Sequence, residues 1–260
     1  MSFPSYRDRY LPALSPARIA ALPDKAWAPV LFPIGAIEQH GPHLPVAVDA
    51  LMGQVWAAMI VERLPAGASC YVAPPITVGK SNEHTGFPGT LMISKGVLRE
   101  LILAVARQVA AWGFRHLAVI NTHGGNVPVN VPTLREAETE TGLRTHVLRS
   151  TADLGLSAQE AAYGIHAAEV ETAWMLAAAP GLVDMTKARC DYFAQAGQAG
   201  NIRPVAAPIL RAWATRDLTP SGIMGNAPAA TAEKGQRWLE AASRSMAAQV
   251  ASICAAARGQ

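Results

Sequence analysis

The sequence predicts an α/β protein with a largely parallel sheet. Short apolar runs alternate along the chain with longer segments whose apolar residues repeat at helical spacing, as in βαβ units. Half of the 260 residues are hydrophobic and only 16% are charged, so the chain is long and apolar enough to bury a sizeable core. Disorder of the whole chain is therefore excluded.

Four short apolar runs predict the strands of this sheet. They span residues 30–34, 71–73, 116–121 and 145–148. Gly35 ends the first run, and Pro74 with Pro75 ends the second, because proline cannot donate a hydrogen bond to a neighbouring strand.

Five segments with helical periodicity are interspersed with these strands. They span residues 49–64, 94–112, 131–140, 167–178 and 231–257. Asp49 and Ser94 are the expected N-caps of the first two helices, and Gly113 is the expected left-handed residue that ends the second. Residues 184–228 have weak periodicity and predict loops and short elements. Since no repeat or Pro/Ser linker divides the chain, residues 1–260 are expected to form one domain.

Charge and cysteine content exclude several protein classes. The 22 basic and 19 acidic residues leave a net charge of only +3, which is not typical of a nucleic-acid-binding protein. The chain has no run of about 18 uncharged apolar residues and no signal-peptide core near its first residues. Its three cysteines lie far apart. We therefore expect a reduced cytoplasmic protein that binds neither nucleic acid nor membranes.

The first group of chemically active side chains follows the strand at residues 30–34. Glu38 and His40 are two residues apart, so in extended backbone their side chains point to the same face. Asp49 follows nine residues after His40. Carboxylates and an imidazole together suit Zn²⁺, Mn²⁺ or Fe²⁺. For Glu38 and His40 alone, a solvated strand end is the alternative interpretation.

A second group follows the strand at residues 116–121. His123 would lie at the carboxyl end of that strand, where open α/β sheets form their active sites. Gly124 and Gly125 would let the backbone approach a ligand closely. A flexible turn with a surface histidine is the alternative.

A third group lies on the expected helix near residue 167. His166 and Glu169 are three residues apart and would share a helical face. Glu171 would lie on roughly the opposite side, so we expect it to accept a hydrogen bond from behind the ligands.

Nucleotide-binding motifs are excluded. The Gly-Lys-Ser sequence at residues 79–81 is like the end of a P-loop, but that motif requires a glycine where Pro74 stands. Neither Gly-x-Gly-x-x-Gly nor His-Glu-x-x-His occurs in the chain.

Together these segments resemble the creatininase (creatinine amidohydrolase) family, from about residue 32 to residue 240. The motifs that carry the resemblance are Gly-Ala-Ile-Glu-Gln-His-Gly-Pro-His-Leu-Pro with Asp49, Ser-Asn-Glu-His-Thr-Gly-Phe-Pro-Gly-Thr, Asn-Thr-His-Gly-Gly-Asn, His-Ala-Ala-Glu-Val-Glu-Thr and Ala-Thr-Ala-Glu-Lys-Gly. The resemblance implies a three-layer α/β/α sandwich, a homohexamer and two divalent metal ions per subunit, of zinc, manganese or iron.

The resemblance also implies the metal ligands by position. One ion would be held by Glu38, Asp49 and His123, and the other by His40, Asp49 and Glu169, with Asp49 bridging. Creatininase itself has an acidic ligand where this chain has Gly125, and Glu169 would take its place. The Gly-Gly form of this loop is found in relatives such as the formamidopyrimidine deformylases and the mycofactocin-system peptidase.

The expected activity is hydrolysis of a C–N amide bond in a small cyclic amide, lactam or formamide by a metal-activated hydroxide. His166 is the candidate acid/base, because histidine titrates near neutral pH, and Glu171 would orient it. The residues expected to bind the substrate lie on two glycine-containing loops: Ser81, Glu83, His84, Gly124 and Gly125. A peptidase of the same fold and a metal-binding subunit without turnover are the alternatives.

Overall fold

Four parallel strands form the main sheet. The computed structural model describes residues 6–193 and 213–259. The strands, in the spatial order β2-β1-β3-β4, are β1 (Val30–Ile34), β2 (Tyr71–Val72), β3 (His116–Asn121) and β4 (Arg144–Val147). Each neighbouring pair is parallel, so every connection within the sheet is a crossover.

Helices cover both faces of this sheet. Within the described residues they are α1 (Pro16–Ala20), α2 (Val48–Glu62), α3 (Lys95–Ala111), α4 (Val127–Thr141), α5 (Ala158–Tyr163), α6 (Glu169–Ala178), α7 (Thr215–Leu218) and α8 (Ala232–Arg258). One buried apolar cluster joins the sheet to α3 and α4, and another joins it to α2, α6 and α8. The predicted α/β fold and its three α/β/α layers are confirmed.

The packing of strand β1 on both faces explains why its sequence is continuously apolar. Val30 and Phe32 pack into the cluster under α3 and α4, while Leu31 packs into the cluster under α2 and α8. Successive side chains of a strand point to opposite faces, and here both faces are covered. All five residues of β1 are therefore buried.

The predicted ends of α3 agree with the structure. The Ser94 Oγ accepts a hydrogen bond of 3.2 Å from the Val97 N–H, which caps the first turn. Gly113 follows the helix with a φ of +97°, a conformation that glycine adopts without the steric cost of a Cβ atom.

Helices α2 and α4 begin elsewhere than predicted. Helix α2 begins at Val48, so Asp49 lies in its first turn and Ala47 is the N-cap. Helix α4 begins at Val127, with a proline in its first turn, whereas the prediction began at residue 131. Proline is well suited to a first turn because the N–H that it lacks would have no partner within the helix.

The remaining strands form a second, smaller sheet. Strands β5 (Cys190–Asp191) and β6 (Gly225–Asn226) form a separate antiparallel pair. They belong to the stretch predicted as loops and short elements, of which residues 194–212 lie outside the described part. No helix in residues 6–193 or 213–259 is long and apolar enough to cross a membrane.

Candidate metal centre

The candidate site lies at the carboxyl ends of β1 and β3. Glu38 and His40 come from the extended segment after β1, and His123 comes directly after β3. Asp49 reaches the site from the first turn of α2. A Cβ atom on Gly35 would lie only 2.7 Å from the Asp49 carbonyl oxygen, so glycine is needed for this close approach of α2 to β1.

The two oxygens of Asp49 face different imidazoles. Its Oδ1 lies 3.5 Å from the His40 Nε2, while its Oδ2 lies 3.3 Å from the His123 Nδ1. The same Nδ1 lies 3.1 Å from the Glu38 Oε2. Asp49 therefore stands between two groups of potential ligands.

Three polar atoms at this point are buried and, within the described part of the chain, make no hydrogen bond: the Glu38 Oε2, the His40 Nε2 and the Asp49 Oδ2. A buried polar atom without a partner costs about 1–3 kcal/mol. Ligand atoms of Glu38, His40 and Asp49 lie within 4.8 Å of one another, so one cation there would give each residue a partner.

The ring protons are arranged for metal binding. The His40 Nδ1 lies 3.0 Å from the Glu38 carbonyl oxygen, and the His123 Nε2 lies 3.0 Å from the Lys80 carbonyl oxygen. A carbonyl oxygen accepts a hydrogen bond, so each of these nitrogens carries the proton. The lone pairs of the His40 Nε2 and the His123 Nδ1 then point into the cluster. This donor set fits zinc, manganese or iron.

Glu171 joins the cluster, in contrast to the sequence prediction. Its Oε2 lies 3.8 Å from the His40 Nε2 and accepts a hydrogen bond of 2.5 Å from the Ala167 N–H. Ligand atoms of His40, His166 and Glu171 lie within 4.8 Å of one another. Helical geometry does not separate Glu171 from His166, because α6 begins only at Glu169 and Ala167 has a φ of +51°.

Glu169 has a different partner. Its Oε1 accepts a hydrogen bond of 2.5 Å from the Lys234 Nζ on α8. Among the described residues, Glu169 belongs to none of the groups whose ligand atoms could share an ion. The structure thus places Glu171, and not the predicted ligand Glu169, beside His40.

The carboxylates dominate the electrostatics of the site. Burial lowers the pKa of His40, but Asp49, Glu171 and Glu38 outweigh it and raise that pKa to about 10. Burial also disfavours the charged form of His123, but the three neighbouring carboxylates outweigh it and raise the pKa of His123 to about 12. A site that stabilises positive charge so strongly on two imidazoles also favours a divalent cation, which would displace their protons.

His166 lies at the centre of the site as a buried, neutral imidazole. Its Nε2 donates a hydrogen bond of 2.7 Å to the Gln39 carbonyl oxygen, which leaves the Nδ1 lone pair 3.7 Å from the Glu38 Oε1. Burial, followed by the nearby rings of His40 and His84, holds its pKa well below the ordinary value. The Gln39 carbonyl oxygen orients this ring, a role that was predicted for Glu171.

A cavity of about 370 Å³ opens beside the cluster. This volume is at the lower end of the range for small-ligand sites, about 300–1,000 Å³. The predicted substrate-binding residues that line it are Glu83, His84, Gly124 and Gly125. Ser81 is the exception, because it is fully buried, with its Oγ 3.4 Å from the His123 Nε2. It supports His123 from behind and does not face the cavity.

Gly125 makes room for a neighbouring carboxylate. The Glu83 Oε1 lies 3.4 Å from the His123 Nε2, and a Cβ atom on residue 125 would overlap that oxygen. The Glu83 side chain therefore occupies the space that a larger residue at position 125 would need.

Two polar residues that the sequence analysis did not single out hold the site loops together. The Asn126 amide accepts a hydrogen bond of 2.9 Å from the Lys80 N–H and donates one of 3.0 Å to the Gly35 carbonyl oxygen. The Thr122 Oγ1 donates a hydrogen bond of 2.7 Å to the Asp49 carbonyl oxygen. The sequence signal that could have found them is their position near His123 within the Asn-Thr-His-Gly-Gly-Asn motif.

Comparison with known proteins identifies the family. A sequence model of the creatininase family, described as creatinine amidohydrolase, matches residues 13–250. The chain belongs to the creatininase family. The predicted resemblance is thereby confirmed. A relative within this group is the mycofactocin precursor peptide peptidase of Mycobacterium ulcerans (strain Agy99), which is 33% identical over 219 residues. The match covers 81% of this chain and 80% of that protein.

Solved creatininases share the fold. A manganese creatininase superimposes with a TM-score of 0.73 and 22% identity, covering 94% of this chain and 98% of the other. A creatininase variant of the Zn–Zn type gives a TM-score of 0.75 and 23% identity, covering 94% and 97%. At these identities the comparison establishes a common architecture, in agreement with the three layers described above.

Proposed function

We propose that this chain is a metal-dependent hydrolase that cleaves a C–N amide bond in the 370 Å³ cavity. The observation that carries this proposal is the set of three buried, unpartnered atoms on Glu38, His40 and Asp49. They adjoin a neutral histidine, His166, at the wall of an open cavity. Membership of the creatininase family supports the same chemistry.

Two ligand sets share Asp49 in this proposal. Glu38, Asp49 and His123 would hold one ion, and His40, Asp49 and Glu171 the other. The support is that the Asp49 Oδ2 faces His123 and its Oδ1 faces His40. Zinc, manganese or iron suits these ligands, and the solved creatininases of this fold include manganese and Zn–Zn forms. A bound divalent ion lowers the pKa of a water ligand to about 7 and polarises a carbonyl group.

His166 would handle the proton. Its Nδ1 carries a lone pair toward the cluster, since the Nε2 proton is held by the Gln39 carbonyl oxygen. This nitrogen can accept a proton from the attacking water and pass it to the leaving nitrogen, because an amine departs readily only when protonated. The low pKa of His166 keeps the ring neutral, so the Nδ1 lone pair is free.

A short peptide is the substrate class that we place first. The mycobacterial relative that matches four-fifths of both chains is a peptide peptidase. A small cyclic amide, lactam or formamide is the second candidate, because the family model is named for creatinine hydrolysis and the cavity is of small-ligand size.

The test is reconstitution of the metal-depleted protein with Zn²⁺, Mn²⁺ or Fe²⁺, followed by assay against short peptides, creatinine, lactams and formamides. We expect turnover only with metal. Asp49→Ala should abolish metal binding and turnover together, whereas Asp8→Ala, at an exposed aspartate, should change neither. Full turnover without metal, or retention of both ions by Asp49→Ala, would contradict the proposal.

We also propose that copies of this chain associate, as the homohexamer that the family resemblance implies. Val97 and Leu101 on α3, and Val127 and Val131 on α4, are 41–49% exposed. Helices α3 and α4 pack against each other, and clustered exposed apolar residues are typical of an interface. Light scattering that shows a monomer would contradict association. The three cysteines are free, which suits the reducing cytoplasm where we place the protein.

A further inference from the structure

Both ring nitrogens of His84 are already engaged. His84 is 3% exposed. Its Nε2 lies 3.3 Å from the Glu38 Oε1, and its Nδ1 lies 2.9 Å from the Gln39 Nε2 and 3.0 Å from the Thr215 Oγ1. The role of His84 therefore depends on which nitrogen carries the proton.

The orientation of the Gln39 amide decides this question. Its Oε1 accepts a hydrogen bond of 2.9 Å from the Gly41 N–H, and its Nε2 donates one of 3.1 Å to the Gly222 carbonyl oxygen. If the amide oxygen and nitrogen were exchanged, the amide nitrogen would face the Gly41 N–H, which is also a donor. The amide oxygen would face the Gly222 carbonyl oxygen, which is also an acceptor. The atom of Gln39 that faces His84 is therefore an N–H donor.

The backbone fixes Gln39 in this position. Gly222 has a φ of +78°, and a Cβ atom there would overlap the Gln39 Oε1. Only glycine permits both the backbone conformation and the close approach. Gln39 is thus held from two sides, by Gly41 and Gly222.

The His84 Nδ1 therefore accepts a hydrogen bond from the Gln39 Nε2. The ring proton is then on the His84 Nε2, which points at the Glu38 Oε1. We propose that His84 is a positioning residue that donates a hydrogen bond to Glu38 and thereby directs the other carboxylate oxygen at His123 and Asp49. This inference rests on the proposed metal-dependent function. Ligand atoms of Glu38, His84 and His166 lie within 4.8 Å of one another, but the protonated Nε2 has no lone pair for a metal ion.

The consequence concerns metal affinity. Loss of a hydrogen bond that orients a metal ligand typically weakens binding about 10–100-fold. Without His84, the Glu38 carboxylate would be free to rotate, and the ion held with Asp49 and His123 would lose affinity. His84 also lines the cavity, so a direct contact with substrate is the competing role, which the same experiment distinguishes.

The experiment compares two amide substitutions at His84 in the full-length protein. The nitrogen of His84→Gln can reach the position of the Nε2 and donate to Glu38. The shorter side chain of His84→Asn reaches only the position of the Nδ1. Zn²⁺ affinity is measured by competition with a chromophoric chelator, and the thermal midpoint of the metal-free protein reports on folding. His146→Asn, on strand β4, is the matched control.

We expect His84→Asn to bind Zn²⁺ about 10–100-fold more weakly than the wild type, and His84→Gln to bind within about threefold of it. Equal affinity in all three proteins, with KM raised in both variants, would assign His84 to substrate binding and overturn the inference. Equal loss in both variants would make His84 a metal ligand and also overturn it. If the wild type itself binds no metal, the proposed function fails first, and the inference fails with it.

Discussion

Replacement of Glu171 by glutamine should remove one metal ion from the site. The substitution keeps the size of the side chain and an oxygen that can accept from the Ala167 N–H, but it removes a carboxyl group 3.8 Å from the His40 Nε2. Burial raises the pKa of this carboxyl to about 7, so the unit charge that the substitution removes is the one it carries beside a bound cation. At an effective dielectric constant of about 20, a unit charge at that distance interacts with a positive charge by about 4 kcal/mol. Each 1.4 kcal/mol of binding free energy corresponds to about a tenfold change in affinity, so the second ion should bind about 1,000-fold more weakly.

Metal content after gel filtration, measured by mass spectrometry, is the assay. Glu171→Gln should retain about half of the metal that the wild type holds. Glu169→Gln is the matched control, because its carboxylate binds the Lys234 Nζ and lies outside the cluster, so that variant should keep both ions. If Glu169→Gln lost an ion while Glu171→Gln kept both, the assignment of the second ligand set to Glu171 would be refuted.

Three further predictions follow from other contacts. His166→Ala should lower kcat by about 10²–10⁴-fold, the usual contribution of a general acid/base, while metal content measured in parallel stays unchanged. Glu160→Gln should lower the free energy of unfolding in urea by about 2–3 kcal/mol, because the buried Glu160 carboxylate accepts hydrogen bonds from three donors, and an amide nitrogen would face at least one of them. Burial lowers the pKa of both His116 and His146, although Glu138 opposes it at His146, so the unfolded chain binds more protons as pH falls through about 6.5 and folding becomes less stable. His146→Gln should reduce this loss between pH 7 and pH 5, and an unchanged slope of stability against pH would contradict the assignment.

The sheet could be predicted from sequence because its strands are buried on both faces. The apolar runs at residues 30–34 and 116–121 coincide with β1 and β3. Such runs require only local composition, which one sequence contains in full. The carboxyl ends of these strands then give the correct location of Glu38, His40 and His123.

The position of Glu171 could not be predicted in the same way. Alanine favours helix, so Ala167 and Ala168 led to the prediction that α6 begins at residue 167. Tertiary contacts override that preference: His166 bridges to Met224, and the Ala167 N–H donates to the Glu171 carboxylate. The resulting positive φ of Ala167 places Glu171 in the cluster, and no local pattern signals it.

Gln39 shows a related limit. Its role depends on the backbone of Gly222, 183 residues away along the chain. The sequence places Gln39 between two metal-ligand candidates but does not show what its side chain contacts.

The overlap between position 125 and the Glu83 carboxylate has an evolutionary consequence. A side chain at residue 125 cannot coexist with the present positions of the Glu83 carboxylate, the His123 ring and the Lys80 carbonyl oxygen, so residue 125 cannot change alone without cost. Homologous sequences that carry an acidic residue at position 125 should therefore carry a smaller residue, or a side chain directed elsewhere, at position 83. The two positions should covary across the family, and a chain that acquires a side chain at residue 125 alone should have a disrupted loop around His123.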